Sequence, residues 1–99
     1  MAQPIYKLFL AKPSAAWYQL SQEEQTTLLG KVGETLEKVG GKSTLTCDSS
    51  WASEQTSFWG VEQYPDLDAL QKHAQLLNEL NWFQYVESMT VLGTETSQP

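Results

Sequence analysis

One cysteine, one histidine and the lack of any long apolar run set the first limits on this chain of 99 residues. Cys47 alone can form no intrachain disulfide, no Cys-X-X-Cys redox pair and no thiolate cluster. With His73 as the single imidazole, the ligand spacing of a zinc site is missing too, so no metal is expected. No stretch approaches the roughly 20 apolar residues that cross a bilayer. Pro4, Tyr6 and Lys7 interrupt what an export signal would keep apolar, and nothing in the composition requires oxidation. A cytoplasmic protein is expected. Basic residues are scarce as well: six against twelve acidic ones leave a net charge of −6, which repels nucleic acid and anionic lipid. Neither nucleic acid nor membrane is an expected partner.

Hydrophobic residues make up 40% of the chain and aromatics 11%, enough for one folded core and too much for global disorder. Its pattern is alternately strand-like and helix-like. Residues 4 to 11 carry Ile5, Tyr6, Leu8, Phe9 and Leu10 and end near Pro13, which predicts a first strand. Ser21 and Glu24 have the spacing of a capping box. Leu28, Leu29, Val32, Leu36 and Val39 follow at helical intervals, so a helix is expected over 22–39, stopped by Gly40 and Gly41. Gly30 and Gly33 inside it point either to an exposed position or to close approach by another backbone. Strands are predicted over 43–49 and 56–64, with Trp51 in the polar connection between them. Asp66 then caps a second helix whose stripe is Leu67, Leu70, Ala74 and Leu77, widening to Leu76 and Leu80. A fourth strand is expected from Phe83 to Leu92, ended by Gly93. The ordered domain is therefore 1–93, and residues 94–99 read as a flexible tail.

Strand, helix, strand, strand, helix, strand with right-handed crossovers defines an α+β, ferredoxin-like βαββαβ fold: a four-stranded antiparallel sheet with both helices on one side. Strand residues alternate between faces, and a chain this short has nothing left to cover the second face. An exposed apolar sheet face is best covered by a second copy, so a homodimer through the sheet faces is expected.

Lys12–Pro13, Ala16–Trp17, Leu20–Ser21 and Glu24 precede the first helix; Trp59 and Tyr64–Pro65–Asp66 surround the third strand; Asn81, Trp82, Phe83 and Tyr85 lead into the fourth. In this pattern, which spans nearly the whole chain, the sequence resembles the dimeric α+β barrel superfamily, and within it a group of small, functionally uncharacterised members. The resemblance implies two facing ferredoxin-like subunits. It leaves activity open, because the superfamily includes cofactor-free and haem-degrading monooxygenases, lactone isomerases and polyketide cyclases.

His73 is the residue whose ordinary pKa lies nearest neutrality, so a general base is sought there first. At about 100° per residue it sits on the shoulder of the second helix's apolar stripe, where its ring can reach a space beneath the helix. Cyclases and haem-degrading members of the superfamily place a histidine on this helix, and His73 matches that placement. A packed histidine is the plainer alternative. Tyr64, nine positions earlier, resembles the cyclases' phenolic hydrogen-bond donor; it could equally anchor the helix start. Tyr6, Trp59 and Trp82 are candidate ligand contacts: Tyr6 as another hydrogen-bond donor, ranked below Tyr64, if its strand face points inward, and the tryptophans as flat walls for an aromatic molecule. Phe58 and Trp59 must face opposite sides of a regular strand. Glu62 and Glu87 interrupt β-favouring stretches and could be polar pocket groups; exposed-edge or paired interface charges are the plainer account. The haem-degrading relatives' strand-one asparagine and strand-three tryptophan have no counterparts here, so no cofactor is expected. The expected function is a cofactor-independent monooxygenase, cyclase or isomerase acting on a small apolar or aromatic substrate. The alternative is a noncatalytic dimeric ligand-binding or structural protein.

Overall fold

The computed structural model describes residues 3–52 and 55–96. The expected tail at 94–99 lies partly outside them. Strand β1 (Ile5–Pro13) is followed by a short helix α1 (Ala15–Tyr18) and the long helix α2 (Gln22–Lys38). Strands β2 (Lys42–Asp48) and β3 (Phe58–Tyr64), helix α3 (Leu67–Glu79) and strand β4 (Val86–Gly93) complete the chain. The sheet order is β2-β3-β1-β4 and every pairing is antiparallel, the α+β ferredoxin-like arrangement that the element order dictates.

Local chemistry sets the helix ends. Ser21 Oγ accepts the Glu24 amide at 3.1 Å while Glu24 Oε1 accepts the Ser21 amide at 2.9 Å. Two of the N–H groups that a helix start leaves unpaired are satisfied this way. Gly40, at φ 78°, turns the chain out of α2 in the left-handed region. Asp66 Oδ1 accepts the Ala69 amide at 2.8 Å and starts α3.

The fourth strand begins later than its aromatic pattern predicts. Trp82–Gln84 form a 3-10 turn entered through Asn81 at φ 57°, and β4 starts at Val86. The turn is tied to the end of β1: the Ser14 hydroxyl donates to the Gln84 carbonyl at 2.6 Å and the Ser14 amide to the Tyr85 carbonyl at 2.9 Å. Trp82 packs edge-on against Trp17 of α1 with ring centroids 6.2 Å apart. Aromatic packing therefore overrides strand propensity over 83–85.

Register assigns each strand residue to a face. Lys7 pairs with Glu62, Phe9 with Gly60 and Ala11 with Phe58, and these residues look toward the helices. A Cβ at Gly60 would come within 2.8 Å of the Leu45 carbonyl and of the Phe9 ring, so the missing side chain makes room for that ring. Tyr6, Leu8, Leu10, Trp59, Val61, Met89 and Val91 look the other way. Among the described residues no element covers that face; Met89 is 66% exposed and Val91 57%.

On the inner side the core is small: Tyr64, Leu77, Val86, Ala11 and Leu70, with His73 among them. Helix α2, although 17 residues long, buries only Thr35. It stands off the sheet, and the gap beneath it is where the candidate site lies.

Candidate functional site

The gap is a cavity of about 320 Å³ between α2, α3 and the inner face of the sheet. Phe9 and Phe58, in edge-to-face contact at 6.1 Å, form part of its floor; Val32, Gly33, Leu77 and Trp82 contribute to its walls. Lys7, Glu62 and His73 also border it. The lining is mainly apolar with a few convergent polar groups, as in small-molecule sites. A larger hollow of about 440 Å³ lies between α2 and the end of α3; of its glutamates Glu23, Glu24 and Glu79, Glu24 is engaged in the helix cap.

A chain of short contacts runs through the polar side of the cavity. The Tyr64 hydroxyl donates to Glu62 Oε1 at 2.6 Å and lies 2.8 Å from His73 Nδ1. A phenol has one hydrogen, and Glu62 takes it; the tautomer of His73 follows from that count. Nδ1 carries the imidazole proton and donates it to the phenol oxygen. Nε2 is left with a bare lone pair. That nitrogen is buried and, alone among the described side chains, is a buried polar atom without a hydrogen-bond partner. Native structures rarely leave such an atom unpaired, and each instance calls for a reason.

The electrostatics keep that lone pair available. Burial holds the His73 pKa below its ordinary 6.5; the Glu62 charge opposes this and the Lys7 charge adds to it. Burial and the Glu62 contact push the Tyr64 phenol far above its ordinary value of 10, so it stays protonated. Lys7 is lowered by burial, against the pull of Glu62, whose Oε1 is 3.9 Å from its ammonium.

A pH dependence follows. Because His73 resists protonation in the fold, the unfolded chain binds more protons as pH falls below 6.5, and stability drops from there until the folded value is passed. The urea midpoint of the wild type is expected to fall between about pH 6.5 and pH 5.5, and His73→Gln to flatten that interval. An unchanged wild-type midpoint there would contradict the buried neutral imidazole.

Of the residues singled out in the sequence, His73 and Tyr64 are bonded to each other and Trp82 borders the cavity. Tyr6 and Trp59 lie on the opposite sheet face, where Trp59 pairs with Leu10. Lys7 shares the polar side of the site with Glu62 and was not singled out. Glu62 takes the pocket position that was the less favoured of its two readings, while Glu87 is exposed. The two-residue spacing of Glu62 and Tyr64, which puts both on one strand face, was the available signal. Gly33 borders the cavity, and a Cβ there or at Gly30 would meet nothing within 4 Å, so neither glycine marks close approach by another backbone. Among the described residues no group of three His, Cys, Asp or Glu could hold a metal, and no helix is long and apolar enough to cross a membrane.

The chain shares its ferredoxin-like α+β fold with chlorite dismutases. It belongs to the family of unknown function DUF6616, whose model matches residues 6–99. A substituted chlorite dismutase from Candidatus Nitrospira defluvii is similar at TM-score 0.78 and 19% identity, over 97% of this chain and 42% of that one. The chain thus spans about two fifths of the chlorite dismutase chains it matches. A Rhodopseudomonas palustris protein of unknown function is similar at TM-score 0.71 and 17% identity, covering 98% of this chain and 85% of its own. A hypothetical Arabidopsis thaliana protein gives TM-score 0.60 at 9% identity, covering 98% and 92%. No curated protein matches. Identities this low establish the fold alone.

Proposed function

We propose that this protein binds a small, largely apolar or aromatic molecule beneath α2 and acts on it without a cofactor, with His73 Nε2 as the proton acceptor. One observation carries the reading: a buried imidazole nitrogen, unpaired and fixed in its tautomer from behind, on a residue that borders an apolar cavity. Tyr64 is 0% exposed and its hydrogen is held by Glu62, which supports a positioning role rather than direct contact with the substrate. Trp82 and the two phenylalanines supply flat walls. Tyr6 and Trp59 belong with the outer sheet face, which we assign to a second copy of the chain. The lone Cys47 suits a reducing cytoplasm.

The superfamily's haem-degrading members raise another occupant. His73 has a fitting donor, an unpaired Nε2 whose Nδ1 is tied back to a carboxylate through Tyr64. The pattern around it does not fit: the strand-one asparagine and strand-three tryptophan of those members have no counterparts in this chain, and the cavity of about 320 Å³ is of small-ligand size. A His73-dependent Soret band on adding haemin would overturn the cofactor-free reading.

The cavity is tested with tetralin as the probe, followed through the single histidine's ring signals. Gly33→Phe is expected to fill the space and abolish binding while keeping the fold, since replacing a helix glycine recovers up to about 1 kcal/mol of propensity. Gly30→Phe, on the same helix but away from the cavity, is expected to leave binding intact. Equal binding by all three proteins, or none by the wild type, would refute the site. A noncatalytic binder would hold tetralin yet show no His73-dependent reaction with any proton-donating ligand.

A further inference from the structure

We propose that Lys7 and His73 form a donor and acceptor pair that selects a carbonyl compound bearing an acidic C–H, and that together they catalyse its enolisation. This inference rests on the reading of the cavity as a ligand site and names what occupies it.

Lys7 reaches the cavity from the inner face of β1, with its side chain only 14% exposed. An ammonium group has three hydrogens to place. Among the described residues its polar partner is Glu62 Oε1 at 3.9 Å, beyond hydrogen-bond range, and that oxygen already takes the Tyr64 hydrogen at 2.6 Å. A cation so poorly paired among apolar walls is costly, and an oxygen atom from a ligand would relieve it. His73, which borders the same cavity, presents the opposite deficit: its buried Nε2 is an acceptor with no donor. A ligand satisfying both brings one oxygen and one transferable proton on an apolar frame. A ketone with an acidic C–H beside its carbonyl fits that description, whereas a hydrocarbon meets neither demand.

The step balances without an oxidant or co-reactant. The α-carbon proton passes to Nε2; the C–H electron pair becomes a C=C bond, and the carbonyl π pair moves onto oxygen. The enolate oxygen rests against the Lys7 ammonium, while the imidazolium is steadied from behind by Glu62 through the Tyr64 hydroxyl. Return of the proton to the same carbon regenerates the ketone, and return to a conjugated carbon gives an isomer. Burial keeps His73 unprotonated and so ready to accept.

The test compares β-tetralone with tetralin, which has the same frame and no oxygen. Wild type is expected to bind β-tetralone about 10- to 100-fold more tightly, as a charge-assisted hydrogen bond allows. Lys7→Met is expected to erase the preference while still binding tetralin, which also shows that the variant is folded; Lys7→Gln, a neutral donor, is expected to keep part of it. In deuterium oxide the protein is expected to accelerate exchange at the carbon between the ring and the carbonyl. Lys7→Met and His73→Gln are each expected to slow that exchange about 100-fold or more. Equal affinity for the two probes, a preference that survives Lys7→Met, or exchange no faster than in buffer overturns the pair while leaving the cavity assignment intact. Failure to bind either probe overturns both.

Discussion

Replacing Tyr64 with phenylalanine is expected to lower stability by about 2–4 kcal/mol, although it removes a single oxygen atom. The ring itself stays: it packs on His73 at 5.4 Å and fills the space beside Gly41, where a Cβ would stand 3.3 Å from it. The oxygen stands between two groups that cannot reach water easily. Its loss leaves the His73 Nδ1–H without an acceptor and Glu62 without the hydrogen it takes at 2.6 Å. A buried donor left unsatisfied costs about 1–3 kcal/mol, and a charged acceptor adds to that. The urea midpoint is expected to fall with an unchanged slope. Glu62→Gln should then cost less in the Tyr64→Phe background than alone, because the two residues share one contact. A loss below about 0.5 kcal/mol would mean that the network carries little of the local structure.

Leu10→Glu is expected to convert a dimer into a monomer. Leu10 sits mid-sheet, opposite Trp59 on one side and Met89 on the other. With strands about 4.8 Å apart and about 3.3 Å of rise per residue, the four strands make a plate of roughly 400–500 Å². An exposed sheet face of that size is often functional, and a second copy is the occupant assigned to it here. Burying a carboxylate at its centre costs several kcal/mol, enough to weaken association about 1,000-fold or more. Sedimentation is expected to give twice the 11.1 kDa chain mass for the wild type and a single chain mass for Leu10→Glu. A wild type that stays at 11.1 kDa at high concentration would remove the second copy from the account.

What could be read from the sequence was what depends on near neighbours. Ser21 with Glu24, Asp66 at its helix start and Gly40 at a helix end are signals confined to a few residues, and each performs the expected cap. The order of elements then restricted the topology to a ferredoxin-like sheet. Contacts between distant segments were less legible. Phe83 to Tyr85 look like a strand because their aromatic rings favour one, yet Trp17, some 65 residues away, draws the neighbouring Trp82 into a turn. Lys7 and Glu62 become partners only once β1 is laid against β3 in register. Alternation showed that Phe58 and Trp59 part company across the sheet, but not which went inward. Gly60 decides that point, since the inner face must be bare beside the Phe9 ring. Helix periodicity brought His73 to the right shoulder of α3, whereas its tautomer depended on a carboxylate from another element.

The most direct measurement is the pair of ¹⁵N signals of the protein's single histidine. They are expected to show the neutral tautomer, with the proton on Nδ1 and an unprotonated Nε2, near pH 7.5 and to keep it below pH 6.5. A proton on Nε2 at that pH, or a titration midpoint at or above 6.5, would contradict it.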